Sequence, residues 1–174
     1  MVTKQSLIID MNNPTALGTG LVWQSQLQVS DVYNVVECRG QALKLGPYTF
    51  INIYAPSGSQ KRQARRDFFG QDIFRLMRSF SNLSHPVLGG DFNSILSAKD
   101  TERNFVDKKC PALKDLVDSF NLSDAYRMLH PDGEDYTFYR PSCAASRLDR
   151  FYIPQNMIGN VRSVVHSASL GDHH

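Results

Sequence analysis

At 174 residues the chain is long enough for one domain with a substantial core. An apolar share of 41%, a charged share of 21% and a net charge of +2 are those of a water-soluble globular domain, so bulk charge does not announce a nucleic-acid binder and any basic surface must be local. No apolar run approaches the ~18 residues needed to cross a bilayer, and residues 1–10 do not read as a signal peptide. Cys38, Cys110 and Cys143 lack metal-site spacing, and their odd count fits a reducing compartment.

In chain order, 20–23 and 32–36 read as strands. Segments 41–45 and 48–54 flank the turn signal Gly46-Pro47 and read as an antiparallel hairpin. Ile51 and Ile53 share one face of the second strand; Phe50, Asn52 and Tyr54 share the other. Ala55-Pro56 stops it. Ser57-Gly58-Ser59 precedes a helix expected to run to about Phe80, with Phe69, Ile73, Leu76 and Phe80 at helical spacing toward the core. Lys61, Arg62, Arg65 and Arg66 crowd its first turns. Cations there oppose the helix dipole, so they mark either a solvated face or a phosphate-facing patch rather than a stabilising device. Segment 86–88 is a short buried strand feeding Gly89-Gly90. Segment 111–120 is amphipathic and helical, Asn121-Leu122-Ser123-Asp124 punctuates it, and a further helical turn covers 126–129. Segments 136–139, 148–153 and 161–165 read as strands. There is no internal repeat and no low-complexity linker. Short strands with helices packed on them predict a layered α/β or α+β fold.

Chemistry concentrates at Leu88-Gly89-Gly90-Asp91-Phe92-Asn93. Residues two apart in an extended segment point the same way, which pairs the Asp91 carboxylate with the Asn93 amide. The two glycines remove side-chain bulk where a ligand can approach the backbone. A carboxylate takes a proton from water or holds a hard cation, and an amide orients water or a phosphate oxygen. The alternative is a local Asx-turn. Asp149 sits inside the apolar run 148–153 and shares a face with Arg147. That pair reads either as an Arg–Asp cross-pair or as a carboxylate fixing a histidine tautomer beside a phosphate-gripping Arg. Asp172-His173 is either a terminal tail or part of the site. His85, His130 and His166 lie singly among apolar or loop residues and read as structural. Tyr54, at the end of its strand, packs against its neighbours or offers its hydroxyl to a phosphate oxygen.

Tyr54-Ala55-Pro56, Gly90-Asp91-Phe92-Asn93, Arg147-Leu148-Asp149 and Asp172-His173, in this order and at domain-scale spacing, resemble the endonuclease/exonuclease/phosphatase superfamily. That superfamily includes pancreatic DNase and apurinic endonucleases, and the resemblance covers nearly the whole chain. Ile51-Asn52-Ile53-Tyr54-Ala55-Pro56-Ser57, Asp135-Tyr136-Thr137-Phe138 and Ser146-Arg147-Leu148-Asp149 give it the texture of the endonuclease domain of non-LTR (LINE-type) retrotransposons. The resemblance implies a four-layered α/β sandwich, two packed mixed sheets flanked by helices, with the site where strand-end loops meet. It implies Mg²⁺-dependent (or Mn²⁺-dependent) phosphodiester hydrolysis, with DNA nicked for target-primed reverse transcription. By motif, Asp91 activates or positions water and Asn93 orients it or the phosphate. His173 contacts the phosphate or serves as base, and Asp149 holds His173. Tyr54 binds near the leaving oxygen, while Asp172 joins Asp91 at the metal. Thr137, Ser146 and Arg147 lie where DNA is contacted. The implied partners are DNA and the reverse-transcriptase domain of the same polyprotein, with no membrane. Action is nuclear after cytoplasmic synthesis, and no targeting signal is visible.

The match departs at both ends. Family members open with an Asn-bearing strand and then a strand leading to a Gln-Glu pair, whose Glu is a principal metal ligand. Gly18-Thr19-Gly20-Leu21-Val22-Trp23 already resembles the strand after those motifs. The expectation is therefore one domain over residues 1–174, incomplete at its N-terminus, lacking its first strands and ending just after the catalytic His. Gly171 stands where the family has Ser before Asp-His. Such a chain is expected to nick DNA little or not at all, and to recover when the opening strands are supplied. The competing readings are a catalytically impaired fragment with weak DNA affinity and a phosphoinositide or sphingolipid phosphoesterase. The second of these is disfavoured by Tyr136-Thr137-Phe138 and Ser146-Arg147-Leu148-Asp149.

Overall fold

A computed structural model describes residues 5–9, 19–24, 26–35, 39–80, 85–102, 109–140, 143–167 and 173. Ten strands are labelled along the described chain. They are β1 (Gln5–Ile9), β2 (Gly20–Gln24), β3 (Val29–Val35), β4 (Gly40–Leu45), β5 (Tyr48–Tyr54), β6 (His85–Asp91), β7 (Leu122–Asp124), β8 (Phe138–Arg140), β9 (Cys143–Ser146) and β10 (Asp149–Pro154). The helices are α1 (Arg62–Asp67), α2 (Phe74–Ser79), α3 (Pro111–Ser119) and α4 (Ala125–Leu129). A six-stranded sheet has the order β3-β4-β5-β6-β10-β7, and β1-β2 and β8-β9 form two-stranded sheets. Only β5 and β6 run parallel within the large sheet; its other pairs are antiparallel. This is a mixed α/β architecture, as expected.

The β4–β5 hairpin turns at Gly46, whose φ of 57 lies in the left-handed region that glycine adopts without strain. Along β5, Thr49, Ile51 and Ile53 are buried, and the alternate residues are not, which matches the period of a strand lying on a core. The predicted long helix is interrupted. A 3₁₀ turn (Ser59–Lys61) leads into α1, a π-helical stretch (Phe68–Ile73) follows, and α2 closes it. The π turn lets Phe68 and Phe69 point inward together and still brings Ile73, Leu76 and Met77 back to the core. Pro111 opens α3 at its first position, where a missing N–H costs nothing.

Helices α1, α2 and α3 cover one face of the sheet. Ile51, Ile53, Leu88 and Tyr152 meet Phe69, Ile73, Met77, Leu113 and Leu116 there. Phe92 stacks on Phe69 with centroids 6.0 Å apart and meets the Tyr152 ring edge-on at 5.1 Å. Each such side chain contributes about 1.5–3 kcal/mol of burial. On the opposite face a smaller cluster joins Ala125, Ile153 and Met157 to Val87, Val161 and Val164. The strand expected over 161–165 does not form: 161–167 has no regular structure. Val161 and Val164 are there as apolar packing against the Ala125–Ile153–Met157 cluster, not as strand residues. Among the described residues no helix is long and apolar enough to cross a membrane.

Candidate active site

Three strands carry the site. In the parallel pair β5–β6, Tyr54 lies in register with Asp91; in the antiparallel pair β6–β10, Asp91 lies in register with Asp149. Tyr54, Asp91 and Asp149 therefore form one row across the sheet, on the face away from α1, α2 and α3. The row is fastened just beyond the strand ends. Ala55 N–H donates to the Asp91 carbonyl at 2.8 Å, and Phe92 N–H donates to the Leu148 carbonyl at 2.9 Å.

Asn93 locks the Asp91 carboxylate. Its backbone N–H donates to Asp91 Oδ1 and its Nδ2 to Asp91 Oδ2, both at 2.8 Å, while Nδ2 also donates to the Ala55 carbonyl at 2.9 Å. The Asx-turn considered from sequence is thus present, and it is part of the site. Asn93 takes a φ of 44, a left-handed conformation that Asn tolerates better than most residues. Burial pushes the Asp91 carboxyl up to about 6. The Asn93 hydrogen bonds oppose the rise, the facing Asp149 charge adds to it and His173 counters it.

His173 Nδ1 lies 2.8 Å from Asp149 Oδ2, so the carboxylate holds the ring with its proton on Nδ1. The ring meets Phe138 edge-on at 5.1 Å, and a backbone bridge joins Phe138 to His173. Chain segments at 54, 91–93, 149 and 173 therefore converge. Asp172 lies outside the described residues.

The two glycines answer to packing. A Cβ on Gly89 would stand 2.6 Å from the Phe151 ring, and one on Gly90 would stand 2.0 Å from the Ile53 carbonyl oxygen. Each glycine is thus required by the protein's own packing, and both also line a cavity together with Asn52, Asp149 and Phe151.

Thr137, Ser146 and Arg147 are not at the surface, and this too is a correction. All three are at most 1% exposed. Thr137 Oγ1 accepts from the N–H groups of Leu148 and Asp149, each at 3.0 Å, and Ser146 Oγ lies 3.1 Å from Thr101 Oγ1. Arg147 donates from Nη2 to Asp100 Oδ1 at 2.8 Å and to Asp124 Oδ2 at 2.6 Å. Arg127 shares Asp100 at 2.7 Å. Burial alone would raise the Asp100 pKa, but Arg150 and Arg147 hold it below the usual carboxylate value. A guanidinium at a strand start needs buried counter-charges, and these come from distant segments that sequence spacing does not reveal.

The basic cluster at 61–66 divides. Lys61, Arg62 and Arg66 are exposed. Arg65 is buried and donates to the carbonyls of Pro56 and Gly58 at 2.9 and 2.7 Å, bracing the loop that follows Tyr54. Sequence reasoning missed Arg39. Its guanidinium lies 5.4 Å from the Tyr54 ring centroid, and Nη1 donates to the Tyr54 carbonyl at 3.4 Å. Its only sequence signal is a cation just before a strand that pairs with β5.

Asp91 and Asp149 are the two carboxylates brought together at the row. Among the described residues no three His, Cys, Asp or Glu side chains group to hold a metal ion. The donor chemistry still fits a hard cation such as Mg²⁺, which uses one or two carboxylates and leaves its other positions to water and phosphate oxygens. The proton affinity of Asp91, raised by burial and by a facing negative charge, is what a nearby cation would relieve.

No protein-family model matches the chain. The chain is 30% identical over 133 residues, 72% of its length, to the transposon TX1 uncharacterized 149 kDa protein of Xenopus laevis, and spans 10% of that relative's length. In fold it is similar to an AP endonuclease from Archaeoglobus fulgidus, with a TM-score of 0.70 and 19% identity over 89% of this chain and 68% of that one. It is similar also to the 3'-5' exonuclease NExo from Neisseria meningitidis, again with a TM-score of 0.70 and 19% identity, over 89% of this chain and 69% of that one. Fold and sequence point the same way: the chain has the fold of these endonuclease and exonuclease structures and is similar in sequence to a stretch of a transposon protein.

Proposed function

We propose that the domain nicks DNA by Mg²⁺-dependent phosphodiester hydrolysis, opening a target strand for reverse transcription by a domain of the same polyprotein. On this reading it acts on nuclear DNA. The observation that carries the proposal is the Tyr54–Asp91–Asp149 row with His173 held on Asp149 at 2.8 Å.

Asp91, ionised above about pH 6, takes a proton from or positions the attacking water. Asn93 fixes both carboxylate oxygens of Asp91, so the base is aimed before substrate arrives. With its proton on Nδ1, His173 offers its other ring nitrogen to the phosphate, and Asp149 stabilises the charge that develops on the ring. Tyr54, steadied by Arg39, offers a hydroxyl near the leaving oxygen. Asp91, with Asp172 and Asp149, would hold the metal, which supplies charge neutralisation at the phosphate and leaving group when bound.

The test is conversion of supercoiled plasmid to open circles by the chain in excess, in Mg²⁺ or Mn²⁺. Slow nicking that disappears in both Asp91→Ala and His173→Ala supports the reading. Nicking that survives either substitution overturns it. A second reading, a domain that binds DNA weakly without cutting, is favoured by the described part of the site, where Asp91 and Asp149 are the carboxylates brought together, and DNA retention in a gel with no nicking would support it. Release of phosphate from soluble inositol phosphates, with none of these effects on DNA, would replace both.

A further inference from the structure

The buried threonine and the aromatic residue after it meet the two halves of the Asp149–His173 pair. Thr137 is 0% exposed. A hydroxyl oxygen has two acceptor lone pairs, and the N–H groups of Leu148 and Asp149 approach it at 3.0 Å each. Thr137 N–H in turn donates to the Ser146 carbonyl at 3.1 Å, so the threonine holds both ends of the 146–149 turn into β10. The next residue, Phe138, bridges by backbone to His173 and sets its ring against the imidazole at 5.1 Å.

We propose that Thr137 and Phe138 act as a two-residue clamp that positions the Asp149–His173 pair, Thr137 through the Asp149 backbone and Phe138 through the His173 ring. The inference rests on the reading that this pair serves the phosphate chemistry. Two catalytic groups from segments far apart in sequence are thereby referred to one dipeptide, and their separation does not depend on two independently moving loops. Groups one shell away from the chemistry matter because a displacement of about 1 Å at a reacting group costs on the order of 100-fold in rate. The clamp also accounts for a hydroxyl at a fully buried position. A carbon in its place would leave two backbone donors unpaired beneath Asp149.

The experiment compares Thr137→Val, Thr137→Ser and Phe138→Leu in the full chain by three measurements. These are nicking rate at saturating protein, DNA affinity, and the ¹⁵N shifts of the His173 ring by NMR at pH 8. Thr137→Val is expected to slow nicking roughly 30- to 100-fold with affinity held within about two-fold, and to move the His173 shifts from the Nδ1-protonated pattern toward a tautomer average. Thr137→Ser, which keeps the oxygen, is expected to restore both rate and shifts. A lowered affinity at an unchanged rate would make Thr137 a DNA contact and overturn the clamp. A Ser variant as slow as Val would overturn it as well. Should Thr137→Val fail to fold, Phe138→Leu decides: His173 shifts identical to wild type overturn the clamp. The NMR readout needs no activity, so a chain that fails to nick counts against the proposed function while the clamp is still judged.

Discussion

Asp91 and Asp149 stand directly opposite one another on adjacent antiparallel strands, Asp91 ending β6 and Asp149 beginning β10. The two carboxylates differ in what surrounds them. Asp149 has an imidazole at 2.8 Å, whereas the hydrogen-bond donors on Asp91 among the described residues are the neutral groups of Asn93. The pair is thus divided into a carboxylate that holds a histidine and one whose proton affinity is raised into the neutral range.

At limiting Mg²⁺ the nicking rate is expected to climb with pH below about 6 and to level off above it, because Asp91 must be ionised to act as base, and the limb should move to lower pH as Mg²⁺ is raised. A rate that is flat between pH 5 and 7 would remove Asp91 from that role.

Folding stability is expected to run the other way. The Asp91 pKa is raised from 3.8 to about 6, so the folded chain binds more protons than the unfolded chain between those values. Its contribution is present in full below pH 3.8 and is lost as pH rises through about 6, on the order of 3 kcal/mol. Urea unfolding at a series of pH values reads this slope, and in Asp91→Asn the slope over that window should disappear. Added Mg²⁺ should raise the wild-type Tm at pH 7 and leave that of Asp91→Asn unmoved.

Asp149→Asn is expected to cut the nicking rate at least about 100-fold by freeing the His173 tautomer. It also removes the charge facing Asp91. The residual rate should then have its acid limb at lower pH than wild type, and a limb shifted upward would contradict the assigned coupling.

Arg147→Ala is expected to cost about 3–5 kcal/mol, because the buried Asp100 and the partly buried Asp124 each lose a partner. DNA affinity of the remaining folded protein should not change. A loss of affinity with little loss of stability would return Arg147 to the role that sequence suggested.

Gly90→Ala is expected to destabilise by about 3 kcal/mol or more, since φ is 127 and the added carbon would meet the Ile53 backbone. Gly89→Ala should cost less, because the half-exposed Phe151 ring can swing aside. Thermal melts of the two variants check the ranking.

What was legible in the sequence was whatever obeys a local period. The alternation of Thr49, Ile51 and Ile53 gives β5 its buried face, and Pro111 with the apolar spacing after it gives α3. The π turn at Phe68–Ile73 was not legible, because an inserted residue breaks the period used to find the helix. The valines of 161–165 carry strand propensity but have no ladder partner, and propensity yields to packing there. At the site, Tyr54, Asp91, Asn93, Asp149 and His173 were picked out by motif, and the structure brings them together. The burial of Arg147 was hidden because its counter-ion Asp100 lies 47 residues earlier in the chain.

The register that sets Tyr54, Asp91 and Asp149 in one row has a consequence for how such a domain can diverge. Inserting or deleting a single residue within β5, β6 or β10 would turn that strand's acid or phenol over to the side of the sheet covered by α1, α2 and α3. Length variation among descendants of this chain is therefore expected outside those three strands, and within them change can proceed only by replacing one side chain with another.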